Sequence, residues 1–236
     1  LVEHASWRLV FGAVPALLAA AFPVVVAGTR RIPRTHGPRP LTGTGRILLP
    51  AAGAGAAVAT LQILSGADSG GLTAWVYAAA GAAAAATFAC VRPLLPPGTF
   101  ALRCGLASTV LVRGLVSGVF IGIEAFLPLL LKEVHGWSPT PAGLILTVGS
   151  VTWALGSWIH GRVVSPRLTR RLPAFAVACQ FAGVALVAPG AFAAVPAGFV
   201  VAGWTLAGLG IGLVFPAMSV LALAMTPRDR HGATSS

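Results

Sequence analysis

Two ionisable residues of opposite sign, Arg113 and Glu124, lie in one long apolar stretch of the chain. A charge at the centre of a bilayer-spanning helix costs about 2.5–3.5 kcal/mol, so such a side chain normally faces a bundle interior or a water-filled cavity. The eleven-residue separation of the pair is close to three helical turns, which places both on one side of a helix, about 16 Å apart along its axis. That distance excludes a direct salt bridge, so each charge needs another partner, a substrate or water.

Each of these residues has a functional and a structural interpretation. Glu124 is suited to bind and release a proton or to meet a cationic substrate; the alternative is a structural carboxylate hydrogen-bonded to neighbouring helices. Arg113 is nearer the predicted cytoplasmic end, where it can instead extend its charge to the membrane interface. Ser117 follows Arg113 by four residues and shares the same helical face.

A second polar stripe lies in the next apolar segment. Ser150, Trp153 and Ser157 recur at spacings of three and four residues, so they share a helical face, with Thr147 beside it. Trp153 falls in the middle of the segment, away from the interfaces where tryptophan usually anchors a membrane helix. Ser117, Ser150 and Trp153 are therefore candidate cavity-lining residues.

These side chains have to be positioned by membrane helices. The chain has 236 residues, of which 56% are hydrophobic and 9% are charged, whereas a soluble domain is about a quarter charged. The composition excludes a disordered chain, which needs few apolar residues and high charge, and argues against a water-soluble globule.

Seven segments are each apolar over approximately the 20 residues that a membrane span requires. They are residues 7–27, 46–64, 72–91, 105–131, 142–161, 172–189 and 196–225. The sequence therefore predicts an all-α fold, a polytopic transmembrane bundle of about seven helices.

The basic residues support this segmentation because they alternate between connections. Thirteen of the sixteen Arg and Lys residues fall on one side of the predicted membrane, and Arg8, Arg113 and Lys132 are the exceptions. Such an excess marks the cytoplasmic side. The prediction is a multi-pass protein of the cell membrane with a cytoplasmic C-terminus. The net charge of +11 is then a topology signal suited to an anionic inner leaflet, and no nucleic-acid partner is required.

Two glycine pairs have the small-xxx-small spacing that lets membrane helices approach closely. They are Gly118 with Gly122 and Gly208 with Gly212. We expect helix packing at both pairs; the alternative is a helix that slides or bends during transport.

Enzyme motifs are missing from the sequence. It contains no HExxH, no GxSxG, no Walker-type loop and no cluster of histidines and carboxylates, which the common catalytic and metal sites need. We predict no catalytic residue, no metal site and no cofactor, and therefore no enzyme.

Three stretches of sequence carry a family resemblance. Residues 5–11 read ASWRLVF and precede Pro15, residues 126–144 contain FLPLLL and GWSPTPAGL, and residues 208–236 contain GLGIGLVFP and end in GATSS. They resemble the SWRWxF…P, FLPxyLQxxxGxSPxxAGL and GxGxGLxxPxxS…RGxASS blocks of major facilitator superfamily drug exporters. The resemblance is closest to the 14-helix, proton-coupled multidrug branch.

The resemblance implies a domain organisation. Residues 1–27 would be the last helix of the amino-terminal bundle, 28–45 and 92–104 cytoplasmic loops, 46–91 two inserted linker helices, and 105–236 the first four helices of an incomplete carboxy-terminal bundle. On this register the chain is a central fragment without the first five and the last two helices, and we expect that it does not transport alone.

The predicted cytoplasmic loop after the fifth segment is similar to a weak repeat of the family's GxxxDRxGRR gating loop. Its matching residues are Gly161, Arg167, Arg170 and Arg171. The acidic residue of the motif is absent, and Pro166 is near its place. The alternative to a charge relay is that these arginines serve only as anchors on the cytoplasmic side.

The function that the resemblance implies is efflux of small organic molecules or drugs by proton-coupled alternating access, with substrate near the membrane midplane. The expected partners are the lipid bilayer, a small-molecule substrate and protons. Glu124 and Arg113 are the candidates for proton or substrate coupling. The alternative function is a truncated, transport-inactive membrane remnant or scaffold.

Overall fold

The computed structural model describes residues 7–30, 44–66, 74–163 and 165–227, which are helical and contain no strand. The α-helices in chain order are α1 Trp7–Thr29, α2 Thr44–Gly66, α3 Ala74–Val91, α4 Leu106–Glu133, α5 Pro139–Arg162, α6 Pro166–Val187 and α7 Ala197–Ala224. Short 3-10 helices at Arg92–Leu94 and Ala188–Ala191 follow α3 and α6.

Each predicted apolar segment coincides with one of these helices, so the all-α prediction is confirmed. Among the described residues, α2 to α7 each contain a stretch long and apolar enough to cross a membrane. The apolar stretch that is described in α1, Pro15–Thr29, is shorter.

The predicted start of the sixth segment at residue 172 is wrong, because α6 begins at Pro166. Ser165 has an extended backbone (φ −69°, ψ 123°) at the N-cap position. Proline is favoured at the first helical position, where its φ is already helical and its missing N–H is not needed. Arg167, Arg170 and Arg171 therefore lie in the first turns of a helix and not in a loop.

The chain divides into two compact units, Leu1–Leu48 and Leu49–Ser236, and α1 belongs to the first. In the second unit α7 is the central helix, and α4, α5 and α6 pack against it. The apolar span of α7 is 56% buried inside the protein, whereas that of α3 is 6% buried. The core of this unit is therefore built around α7.

Candidate functional site

The two charged residues of the apolar stretch lie on α4. Because this helix is continuous, their spacing places Arg113 and Glu124 on one face, and both are half-buried. The fully buried residues Phe120 and Leu127 follow the same stripe. The charges are therefore on the side of α4 that packs into the bundle.

Arg113 contacts the aromatic ring of Phe215 on α7. Its guanidinium carbon lies 4.4 Å from the ring centroid, within the range of a cation–π interaction. No carboxylate pairs with it among the described residues, where the recorded ion pair joins Lys132 and Glu133 (3.0 Å) at the exposed end of α4. An aromatic face, and not a counter-ion, is thus what Arg113 meets in the bundle.

Four aromatic rings continue from this contact across α4, α5 and α7. Trp153 lies 6.0 Å from Phe215 and 5.3 Å from Phe120, centroid to centroid, the latter edge-on at 83°. Phe120 in turn stacks on Trp204 at 4.4 Å and 17°. We call Phe120, Trp153, Trp204 and Phe215 the aromatic cluster; it forms an apolar surface that starts at Arg113 and leads into the core.

Glu124 lies four residues beyond Phe120 on α4. Within the part of the chain that the structure describes, neither its carboxylate nor the Ser117 hydroxyl forms a hydrogen bond or an ion pair. The hydrogen bonds to neighbouring helices that a structural role requires are thus not found there. Glu124 and Ser117 are therefore polar groups of a membrane helix that have no hydrogen-bond partner among the described residues.

The polar stripe on α5 has two different environments. The Ser157 hydroxyl donates to the Gly212 carbonyl of α7 at 3.1 Å, and Trp153 belongs to the aromatic cluster. Ser150 is exposed and donates within its own helix to the Leu146 carbonyl at 3.0 Å. The structure therefore brings Trp153 together with Arg113 through Phe215, but Ser150 is not part of that contact.

The residues assigned to the gating loop lie at the connection between α5 and α6. Gly161 is exposed near the end of α5, and a Cβ atom built on it would have nothing from another part of the described structure within 4 Å. Arg167, Arg170 and Arg171 are exposed and line a surface pocket at the start of α6. Their structural context is a helix start, and their role in gating stays a prediction.

Close contact of backbones positions α5 against α7. A Cβ atom on Gly212 would lie 3.0 Å from the Cα of Gly156. A Cβ atom on Gly208 would lie 2.8 Å from the carbonyl oxygen of Gly149. The packing expected for the Gly208 pair is therefore present, and it holds Trp153 beside α7.

The packing expected for Gly118 and Gly122 is not found within the described residues. Nothing lies within 4 Å of a Cβ atom built on either glycine, and both are exposed. The pair is on the side of α4 opposite to its buried stripe, so its spacing serves no helix contact in this part of the chain.

Sequence reasoning missed the partners of Arg113 and Trp153. Phe120, Phe215 and Trp204 are not distinguishable by hydropathy from aromatic residues on exposed helix faces. Gly149 makes room for the aromatic cluster, because a side chain there would run into the buried indole of Trp204. Gln180 of α6, by contrast, forms the interhelical hydrogen bond that is expected of a polar residue in a membrane helix: its amide donates to the Val116 carbonyl of α4 at 2.8 Å.

The described residues contain no group of three or more His, Cys, Asp or Glu side chains that could hold a metal ion.

A family model described as Major Facilitator Superfamily matches residues 1–236. No curated protein and no solved structure matches the chain. This is a family of transporters and not of enzymes, so the match favours membrane transport over the remnant or scaffold alternative. The apolar helices and the family match together make this a multi-pass membrane protein that belongs to the Major Facilitator Superfamily.

Proposed function

We propose that this chain is part of an exporter that moves small organic molecules out of the cell by proton-coupled alternating access. The resemblance to the 14-helix multidrug branch supports the direction, the coupling ion and the substrate class. In this proposal the C-terminus is cytoplasmic, residues 46–91 are inserted linker helices, and residues 105–236 belong to the carboxy-terminal bundle.

The observation that carries this proposal is the environment of Glu124. Glu124 is half-buried on the packed face of a membrane helix, and its carboxylate has no partner within the described residues. An ionised carboxylate on such a face is costly unless it is compensated, whereas a protonated one costs less. Proton binding or contact with a cationic substrate provides that compensation, and a change of cavity exposure then links it to transport.

The half-buried members of the aromatic cluster, Trp153 and Phe215, supply a suitable wall for the substrate. Ligand sites for organic molecules are lined mainly by apolar and aromatic side chains with a few polar groups. Arg113 of α4 contacts Phe215, and Ser117 follows Arg113 on the same face of α4. This combination favours aromatic or amphipathic molecules over ions or sugars.

The test replaces Glu124 in the transporter that contains residues 1–236. The protein is reconstituted in liposomes, a pH gradient is imposed, and export of the cationic dye ethidium is followed by fluorescence. We expect Glu124→Gln to abolish the component of transport that depends on the gradient, because the amide cannot exchange a proton. Gradient-dependent transport equal to that of the wild type would contradict the proposal.

Glu133→Gln is the matched control. It makes the same chemical change on the same helix, but Glu133 is exposed and paired with Lys132. We expect it to retain gradient-dependent export. The thermal unfolding temperatures of the two variants are also compared. Similar temperatures establish that the loss of transport in Glu124→Gln is not a loss of folding.

A neutral dye, Nile red, separates the two roles of Glu124. If the carboxylate carries the coupling proton, Glu124→Gln removes the gradient dependence for both dyes. If it only meets the charge of a cationic substrate, export of the neutral dye remains dependent on the gradient.

A further inference from the structure

The start of α6 concentrates positive charge where it is unfavourable. Arg167, Arg170 and Arg171 lie in the first two turns of this helix, at the positive end of its dipole, where anions stabilise and cations destabilise. All three are exposed, and among the described residues no carboxylate pairs with them. An anion supplied from outside would relieve this repulsion.

The three arginines line one open pocket on the surface. Together with Ser165 and Leu168 they line a space of about 740 Å³. Guanidinium groups bind phosphate oxygens through paired hydrogen bonds, and the first amides of a helix point toward an anion at its start. Three guanidinium groups and a hydroxyl at one helix start are suited to a phosphate group.

The surface beyond the pocket is apolar, which favours a lipid over soluble phosphate. Leu168, in the pocket, is 51% exposed, and Phe175 is 62% exposed. The two are seven residues apart, so they follow one face of α6 for roughly 10 Å. A phospholipid places its phosphate at the water boundary and its acyl chains along an apolar surface of this kind.

We propose that this α6 pocket, formed by Ser165, Arg167, Leu168, Arg170 and Arg171, binds the phosphate of an anionic phospholipid. Basic pockets on the cytoplasmic side of membrane helices recognise such headgroups. The site is separate from the aromatic cluster and from Glu124, and it does not depend on the coupling ion or the substrate. Bound lipid would neutralise the start of α6 and stabilise its first turns.

The test measures lipid binding to the purified full-length transporter in dodecyl maltoside. Dihexanoyl-phosphatidylglycerol, dihexanoyl-phosphatidylcholine and inorganic phosphate are titrated separately, and thermal unfolding reports binding. We expect saturable stabilisation by the anionic lipid alone. The triple variant Arg167→Gln, Arg170→Gln and Arg171→Gln is expected to lower its affinity about a hundredfold, since each basic residue near an anionic lipid contributes about a factor of five.

The matched control removes the same number of charges elsewhere. Arg92→Gln, Arg103→Gln and Arg162→Gln change residues on the same predicted side of the membrane that do not line the pocket. We expect this control triple variant to lower the affinity for the anionic lipid by less than about fivefold. Equal losses in the two triple variants would mean unspecific attraction and would overturn the proposal.

Two further outcomes would also overturn it. Stabilisation by phosphatidylcholine equal to that by phosphatidylglycerol would show that charge is not recognised. Stabilisation by inorganic phosphate at the same concentration would assign the pocket to a soluble anion. Should the triple variant not fold, Arg170→Gln alone is expected to lower affinity about fivefold, and an unchanged affinity would count against the site.

Discussion

Two glycine pairs of the same spacing, on α7 and on α4, have opposite surroundings. Gly208 and Gly212 lie against the backbone of α5, and a Cβ atom on either would collide with it. Gly118 and Gly122 have nothing within 4 Å of the same position. The spacing therefore permits close approach but does not by itself produce helix contact.

The difference comes from what each pair faces. The α7 glycines meet two glycines of α5, Gly149 and Gly156, so both surfaces lack side chains where the backbones approach. The α4 pair faces no such surface among the described residues. Because lipid is as apolar as a helix surface, association in a membrane requires two complementary faces and cannot rely on hydrophobicity.

The largest expected effect comes from breaking the packed side of α4. Phe120→Ala removes a fully buried ring that stacks on Trp204 and contacts Trp153 edge-on. Truncating a buried phenylalanine costs about 3–5 kcal/mol, and we expect a marked fall in the thermal unfolding temperature in detergent. Phe126→Ala is the control on the same helix, because Phe126 is 68% exposed; an equal fall in both variants would contradict the assignment of faces.

An intermediate effect is expected where the backbones touch. Gly212→Val places a branched side chain against the backbone of Trp153 and the Cα of Gly156, and overpacking of this kind costs about 1–3 kcal/mol. Unfolding temperature again provides the measurement. Gly122→Val makes the same chemical change on the exposed face of α4 and should leave stability nearly unchanged.

The smallest effect, of opposite sign, is expected at Gly118. Gly118→Ala meets open space and replaces a poor helix former by the best one, which favours the helix by about 1 kcal/mol. We expect a slightly higher unfolding temperature. A lower one would show that this face of α4 is covered by another helix in the intact transporter, which would remove the contrast between the two glycine pairs.

The placement of charge was partly predictable. The placement of Arg113 and Glu124 on one helical face follows from their spacing and from 3.6 residues per turn. The structure agrees, because α4 is continuous over both residues. The start of α6 was misplaced because an arginine-rich sequence reads as a loop by hydropathy. Pro166 initiates the helix there, and the charged side chains of its first turns extend from it at the surface.

The partners of these residues were not predictable. Phe215 as the contact of Arg113 and Trp204 as the contact of Phe120 depend on how α7 is rotated against α4. A hydropathy pattern carries no such information, because Phe126 on the exposed face of α4 is as apolar as Phe120 on the buried one.

The sequence by itself determined that this protein is helical and crosses membranes, since transfer into lipid is a sum over the residues of each segment and requires no knowledge of the neighbours. Only the tertiary structure decided that α7 is the centre, that its glycines and not those of α4 are in contact, and that a chain of four aromatic rings begins at Arg113. These features depend on how the surfaces of two helices fit together. The hydropathy and spacing of a segment describe one helix and carry no information about the surface that it meets.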